Sequence, residues 1–508
     1  MQKALIIKLS IIGGLCLIFA IGLNLMQSLV YERQQYSDTV VNEISSQHVN
    51  PQEVITPFIA VPTVITPNCD AEKERNCRPA FELTTPQLAS TTQAQQSLAV
   101  STDTYQRGIY HATSYQGDLT FKQQYQLSSL TVPASPPSTT AATTSTTKPA
   151  VANPENVDLS AYIKQGDSIS YDWSAARLII PVSDLRGVSQ LPIVQVNGKA
   201  MTANYPVTPK MAGLSYVEVL LPADLVQQKA LQITVDLPLM GLSAVRTIPL
   251  GQQFTMTMAS DWHAPNFIGQ ALPADKTFDN QGFQATWENQ YLTVANNQML
   301  TQCLTNPRAT CDIQSNLYPA GRDDSIDAMY QAEVAVIAAN DTASSQSIQN
   351  IQMNGFGVSF AEPNNIYLQT ERAMKYALLL IVVSFGTFFL FEIIKSLRIH
   401  PIQYLLVGSA LLVFYVLLLP LAEQFVFWQA YAIAATACVG LIGWYTYYVL
   451  NSVKRAAIFT AILGGLYAGF YGLLTVEDLN LLLGAIFCFV LIASVMMLTR
   501  KIDWYRVA

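Results

Sequence analysis

Uncharged apolar runs gather at the two ends of the chain, and alternating polar and apolar residues fill its middle. Residues 9 to 30, LSIIGGLCLIFAIGLNLMQSLV, carry no charge and are long enough to cross about 30 Å of hydrocarbon as a helix. Apolar runs return at 376 to 394, 402 to 421, 425 to 450, 456 to 475 and 479 to 499, which predicts five more spans. The run at 425 to 450 is aromatic at both ends, as an interfacial belt would be. Between the two apolar ends the period is two. Leu119, Phe121, Gln123 and Tyr125 share one face of a strand; so do Leu231, Ile233, Val235 and Leu237, and again Phe254, Met256 and Met258. Such runs, broken by Pro and Gly, predict antiparallel sheets with one face buried; barrel and sandwich are both compatible with them. Residues 86 to 100 are a candidate short helix.

Composition turns the apolar ends into a class. Of 508 residues 51% are hydrophobic and 12% charged, where a soluble domain has about 25% charged residues, so part of the chain belongs in a lipid bilayer. The loop charges then give an orientation. Lys3 and Lys8 precede the first run, Lys395 with Arg398 and Lys454 with Arg455 occupy alternate turns, and Arg500, Lys501 and Arg506 follow the last run. The intervening turns hold Glu423, Glu477 and Asp478. The positive-inside rule then predicts both termini in the cytoplasm and residues 31 to 370 outside it; Arg372 and Lys375 are exceptions that can snorkel to headgroups. The first run reads as an uncleaved anchor, because no A-x-A cleavage site follows it and Leu15 precedes Cys16 where a lipoprotein signal needs a small residue.

The expectation is therefore a multi-pass protein of a bacterial inner membrane, of α + β class. It has an N-terminal transmembrane anchor at 1 to 30, a large β-rich periplasmic domain at 31 to 370, and a C-terminal bundle of about five transmembrane helices at 371 to 508. Residues 129 to 157, dominated by Ser, Thr, Pro and Ala, are expected to form a flexible insertion or linker.

Candidate chemistry is sparse. The net charge of −7 comes with no basic patch interleaved with aromatics, which argues against a nucleic-acid partner. The four histidines, His48, His111, His263 and His400, form no metal-ligand pair, and no nucleophile elbow, phosphate loop or dinucleotide fingerprint stands in a suitable context. No metal, cofactor or catalytic role is expected. Cys69/Cys77 and Cys303/Cys311 are two C-x7-C pairs in the polar middle; outside the cytoplasm they favour disulfides, paired locally, with crossed connectivities open. Three polar segments are candidates for recognition. Asp184 and Arg186 lie in SDLRG, which also suits a structural turn. Trp262 and His263 lie in DWHAPNFIG, where packing under a loop competes with a binding surface. Trp287 ends GFQATW, most simply a strand. In the membrane, Glu392 is the acidic candidate: proton coupling or transport is one reading, a pair with Lys395 one turn on the other.

Seven stretches, taken together, resemble one family. RGIY at 107 to 110, SDLRGV at 183 to 188, SDWHAPNFIG at 260 to 269, GFQATW at 282 to 287, TERAMKYALLLIVVSFGTFFLFE at 370 to 392, HPIQYLLVG at 400 to 408 and IDWY at 502 to 505 resemble CreD, the cell envelope integrity proteins of the inner membrane. The Thr/Ser-rich segment and the four outer cysteines depart from that pattern. The resemblance implies a non-enzymatic part in envelope integrity and stress response, with a periplasmic protein or envelope component as partner, and supplies no catalytic residues. The rival expectations are a transporter or lipid-handling protein built on the helices, and a hydrolase, which would need a cleft with paired titratable groups.

Overall fold

The computed structural model describes residues 2–68, 80–127, 167–206, 211–222, 224, 228, 230–288, 290–306, 309–313, 349–360, 366–395, 399–450, 452–475 and 480–500. Cys69, Cys77 and the segment 129 to 157 lie outside the described residues. The chain divides into two compact units, Met1–Val40 with Arg107–Tyr110 and Pro363–Ala508, and Val41–Gln106 with His111–Glu362. Helix α1, Gln2–Gln47, opens the chain and extends well past the apolar run that predicted it.

The second unit is built of stacked sheets. An eight-stranded sheet runs in the spatial order Asp275–Asp279, Gly282–Glu288, Gln253–Ser260, Thr91–Arg107, Tyr110–Gln126, Ala230–Leu242, Ile193–Val196, Lys199–Met201. A five-stranded sheet is centred on Phe58–Thr66 and Arg177–Pro181, and a four-stranded sheet on Ala244–Ile248 and Phe356–Ser359. Each has two ends, so the strands form open layers and not a barrel. Period two produces this directly: Leu231, Ile233, Val235 and Leu237 are buried while Gln232 between them is exposed. Their inner faces meet in one core with Val61, Leu178 and Val217 of the five-stranded sheet and Val245, Phe356 and Val358 of the four-stranded one.

Three expectations are corrected here. Residues 86 to 100 are not helical: Phe81–Gln87 and Thr91–Arg107 are strands, with Thr92, Ala94, Gln96 and Leu98 turned inward and Gln93, Gln95 and Ser97 outward. The pairing is not purely antiparallel, since Gln253–Ser260 runs parallel to Thr91–Leu98 and Gln52–Ile55 parallel to Val245–Ile248. Finally, a helix absent from the sequence reading, α2, Gln290–Thr305, packs on a small second core. Its Asn296 is fully buried and satisfied: the side-chain amide donates to Pro249 O at 3.1 Å and Asn354 O at 2.8 Å, and its oxygen accepts from Asn354 N at 2.8 Å. These partners make an otherwise costly buried amide tolerable.

In the helical unit α3 (Ile366–Lys375) and α4 (Ala377–Lys395) are followed by α5 (Pro401–Ala422), α6 (Phe427–Leu450), α7 (Val453–Thr475) and α8 (Asn480–Thr499). Besides α1, three of these, α5, α6 and α7, are long and apolar enough to cross a membrane, and α3 with α4 makes a fourth candidate bent by 43°. Among the described residues α8 offers only a shorter apolar stretch, Gly484–Ser494, so the five C-terminal spans expected from hydropathy become three continuous helices and one broken pair. The bundle core is aromatic, with Phe414 edge-on to Tyr467 at 4.8 Å and to Tyr431 at 5.4 Å, and Phe388 to Phe459 at 4.6 Å. Helix α1 is a member of this bundle. Phe19 lies edge-on to Phe385 at 6.0 Å and sits over Gly408, where a Cβ would meet its ring at 2.2 Å; only glycine lets the ring approach α5 so closely.

Candidate functional site

The second and third polar segments come together in the β unit, and they do so largely by packing. Trp287 is 0% exposed, stacked on Phe356 at 5.2 Å with its indole N–H donating to Ala271 O at 3.3 Å. Phe267 stands edge-on to both Phe283 at 5.9 Å and Trp287 at 5.8 Å. Trp262 is half-buried, its N–H given to Ala264 O at 2.9 Å and its ring edge-on to Phe360 at 6.3 Å. Close backbone approach demands the glycines of these motifs: Gly269 (φ +98°) and Gly282 (φ +128°) would place a Cβ 2.1 Å from Gly355 O and 2.0 Å from Ser260 O. Trp287, expected at a recognition surface, is thus a core residue, because alternation along its strand turns Phe283, Ala285 and Trp287 to the same buried face.

What this region exposes is different. His263 is exposed, its Nε2 3.3 Å from Asn280 O. Next to Asn280 in the chain runs the strand Asp275–Asp279, at one end of the eight-stranded sheet, paired through its register with Gly282–Thr286 and with every residue exposed. Phe278 in it is 54% exposed, and Lys276 reaches 5.7 Å from the Phe267 ring centre. Exposed edges with a large apolar side chain are unusual unless charged or bulged; here Asp275, Lys276 and Asp279 supply the charge. No signal in the sequence marked this strand, since its alternation is weak.

Asp184 and Arg186 form a closed knot. Asp184 caps the short helical turn Leu185–Gly187 by accepting from Arg186 N at 3.0 Å, and also accepts from Asn50 N at 3.1 Å. Arg186 grips the carboxylate through Nε at 3.0 Å and Nη2 at 2.7 Å, and its Nη1 donates to Ser46 O at 2.6 Å. Partial burial pushes the Asp184 carboxyl up, but the Arg186 guanidinium and the two backbone N–H groups outweigh it and hold the group below the usual carboxylate range. Both side chains are occupied by the fold.

Glu392 lies in the helical unit, 5% exposed. Its Oε1 accepts from the Lys8 ammonium and from Ile399 N at 3.3 Å, and its Oε2 from the Tyr404 hydroxyl at 3.0 Å. Among the described residues its cation is Lys8, hundreds of residues away; the side chain of Lys395, the partner suggested by the sequence, lies outside the described residues. His400 and Gln403 hold Tyr404 in place by a capping box: Ile402 N donates to His400 Nδ1 at 3.3 Å and His400 N to Gln403 Oε1 at 3.2 Å. HPIQYLLVG thus starts a helix, positions a hydroxyl on Glu392, and supplies Gly408 for Phe19.

Cys303 and Cys311 form a disulfide between the end of α2 and the strand Ala309–Asp312. Both are buried, so the bond braces the small core. Among the described residues no three His, Cys, Asp or Glu side chains converge as a metal site would.

An N-terminal helix packed into an aromatic bundle of apolar helices, together with a large β-rich unit that has its own core, defines a membrane protein of mixed α and β structure. A family model for the inner membrane protein CreD matches residues 4–505. The chain is 28% identical to the inner membrane protein CreD of Escherichia coli strain K12 over 510 aligned residues, covering 99% of this chain and 95% of that protein. It belongs to the CreD family of inner membrane proteins.

Proposed function

We propose that the protein serves envelope integrity without catalysis, as a membrane-held receptor for an extended segment of an envelope protein. In this reading both termini lie in the cytoplasm and the β unit lies in the periplasm. The contact between Lys8 and Glu392 supports the orientation, because it joins the start of α1 to the end of α4 on the side where the loop cations also gather. One observation carries the binding role: among the described residues the strand Asp275–Asp279 is an open sheet edge, with Phe278 standing out of it. Such an edge offers backbone hydrogen bonds for affinity and alternate side chains for specificity, the physics of strand addition. His263 flanks it.

The test is site-specific photocrosslinking from position 278 in intact cells, with Phe278→Asp as the companion variant. The reading expects a defined periplasmic adduct and loss of resistance to envelope-directed agents in Phe278→Asp protein of normal abundance. Adducts confined to lipid or to cytosolic proteins, or wild-type resistance in that variant, would remove it. The rival transport reading expects Glu392→Gln to abolish function; the three contacts of Glu392 with Lys8, Ile399 and Tyr404 favour a brace instead.

A further inference from the structure

The helical unit is not smooth where α6 meets α7. A groove of about 570 Å³ lies between Gly443, Trp444 and Tyr447 of α6 and Ala457, Thr460 and Ala461 of α7. Its floor is made of residues too small to fill it, and its middle offers no free donor, because the Thr460 hydroxyl already donates to Ala456 O at 2.8 Å. Water has no partners there, so an apolar chain suits it. Trp444 and Tyr447 stand at one end, amphipathic rings of the kind that settle at headgroup depth.

Charge tells the ends apart. Between two lining residues, Val453 and Ala456, the sequence places Lys454 and Arg455 in the first turn of α7. Lys454 is exposed and Arg455 half-buried, and neither forms an ion pair among the described residues. A second hollow of about 610 Å³ continues from Gly440 and Thr460 toward Trp428. The charge beside the trough is therefore basic, at the end where Val453 and Ala456 line it. An occupant must be apolar along its length and anionic where it meets Lys454 and Arg455.

We infer that this groove binds an anionic phospholipid, with an acyl chain lying over Gly443, Ala457 and Ala461 and the phosphate held by Lys454 and Arg455. Basic recesses between membrane helices are suited to such headgroups. A transmembrane helix of a second copy would fill the trough but bring no anion to the two cations. The inference is independent of the edge-strand reading.

The test uses the full chain in phosphatidylcholine vesicles containing brominated phosphatidylglycerol or brominated phosphatidylcholine, whose bromines quench nearby indoles. The signal of Trp444 is the difference between wild type and Trp444→Phe, and that of Trp428 is obtained likewise from Trp428→Phe. Brominated phosphatidylglycerol should quench Trp444 at a mole fraction on the order of ten-fold lower than brominated phosphatidylcholine, from two cations each contributing to headgroup attraction. Trp428 should show no such preference. Lys454→Gln/Arg455→Gln should erase it, and Ala457→Leu, which keeps both cations and fills the trough, should weaken quenching by both lipids. Should the double neutralisation disturb insertion, wild-type protein in about 1 M salt, where the Debye length falls to about 3 Å, should lose the preference instead. Equal quenching of Trp444 by the two lipids, an equal preference at Trp428, a preference that survives high salt, or quenching governed by protein-to-lipid ratio in place of lipid identity would each overturn the inference.

Discussion

The pair between Lys8 and Glu392 offers the sharpest test of how α1 is held in the bundle. Three variants suffice: Lys8→Met, Glu392→Gln and the two combined. Removing Lys8 leaves a carboxylate that is 5% exposed and that keeps, among the described residues, the Tyr404 hydroxyl and Ile399 N–H as partners. Breaking a fully buried ion pair from one side costs about 3–5 kcal/mol. The Lys8 side chain is 38% exposed, so solvent screens part of the attraction and the expected cost of Lys8→Met falls to about 1–3 kcal/mol. Glu392→Gln should cost less, about 1 kcal/mol, because its amide oxygen still accepts and the freed lysine can extend its stem to water or headgroups. In the double variant no buried charge is stranded, so its cost should lie near that of Glu392→Gln alone, with a coupling close to the Lys8→Met cost, about 1–3 kcal/mol. Reversible unfolding in mixed micelles, followed by tryptophan fluorescence, gives the four free energies. Strict additivity of the single costs, or a neutral Lys8→Met, would show that the contact does not tie α1 to α4 and would refute the reasoning.

Two further outcomes follow from the β unit. Trp287→Ala should destabilise this unit by about 3–5 kcal/mol, because it empties the space of a fully buried ring stacked on Phe356, and Trp287→Phe should recover much of that; thermal unfolding by near-ultraviolet circular dichroism measures both, and an unshifted transition in Trp287→Ala would contradict the core assignment. Because the Asp184 carboxyl is held below its ordinary value in the folded state, its contribution to stability is complete above the unfolded value of about 3.9 and disappears as pH falls through the lower folded value. In Arg186→Ala only the two backbone N–H groups act against the burial, so the folded value moves up toward the unfolded one and acid unfolding should begin at higher pH than in wild type; identical acid midpoints would count against the pairing.

Much of the architecture could be read from patterning because the patterns report solvent. An uncharged run of the length of 9 to 30 has few places to go but lipid, and alternation at 231 to 237 makes a half-buried strand wherever it pairs. The same local logic failed where a long-range partner made the decision. Residues 86 to 100 became strand because Thr91–Leu98 lies beside Gln253–Ser260, and α2, rich in Thr and Asn, is helical because its buried Asn296 finds partners on two other segments. Hydropathy likewise counted the run at 376 to 394 as one simple span and gave no sign that its helix bends away from α3 at Tyr376.

The motifs that carried the resemblance were visible as strings, and their roles were not. SDWHAPNFIG and GFQATW left packing and a binding surface both open, and the fold decides between them: Phe267, Phe283 and Trp287 pack on each other while His263 is exposed. The sequence by itself determined which segments are apolar enough for a membrane and which alternate as half-buried strands, since that depends on composition within a window of twenty residues or fewer. Only the tertiary structure decided which charges meet, which aromatics are buried and which sheet edge stays open, because those contacts join residues as far apart as Lys8 and Glu392 and no local property of either one encodes the other.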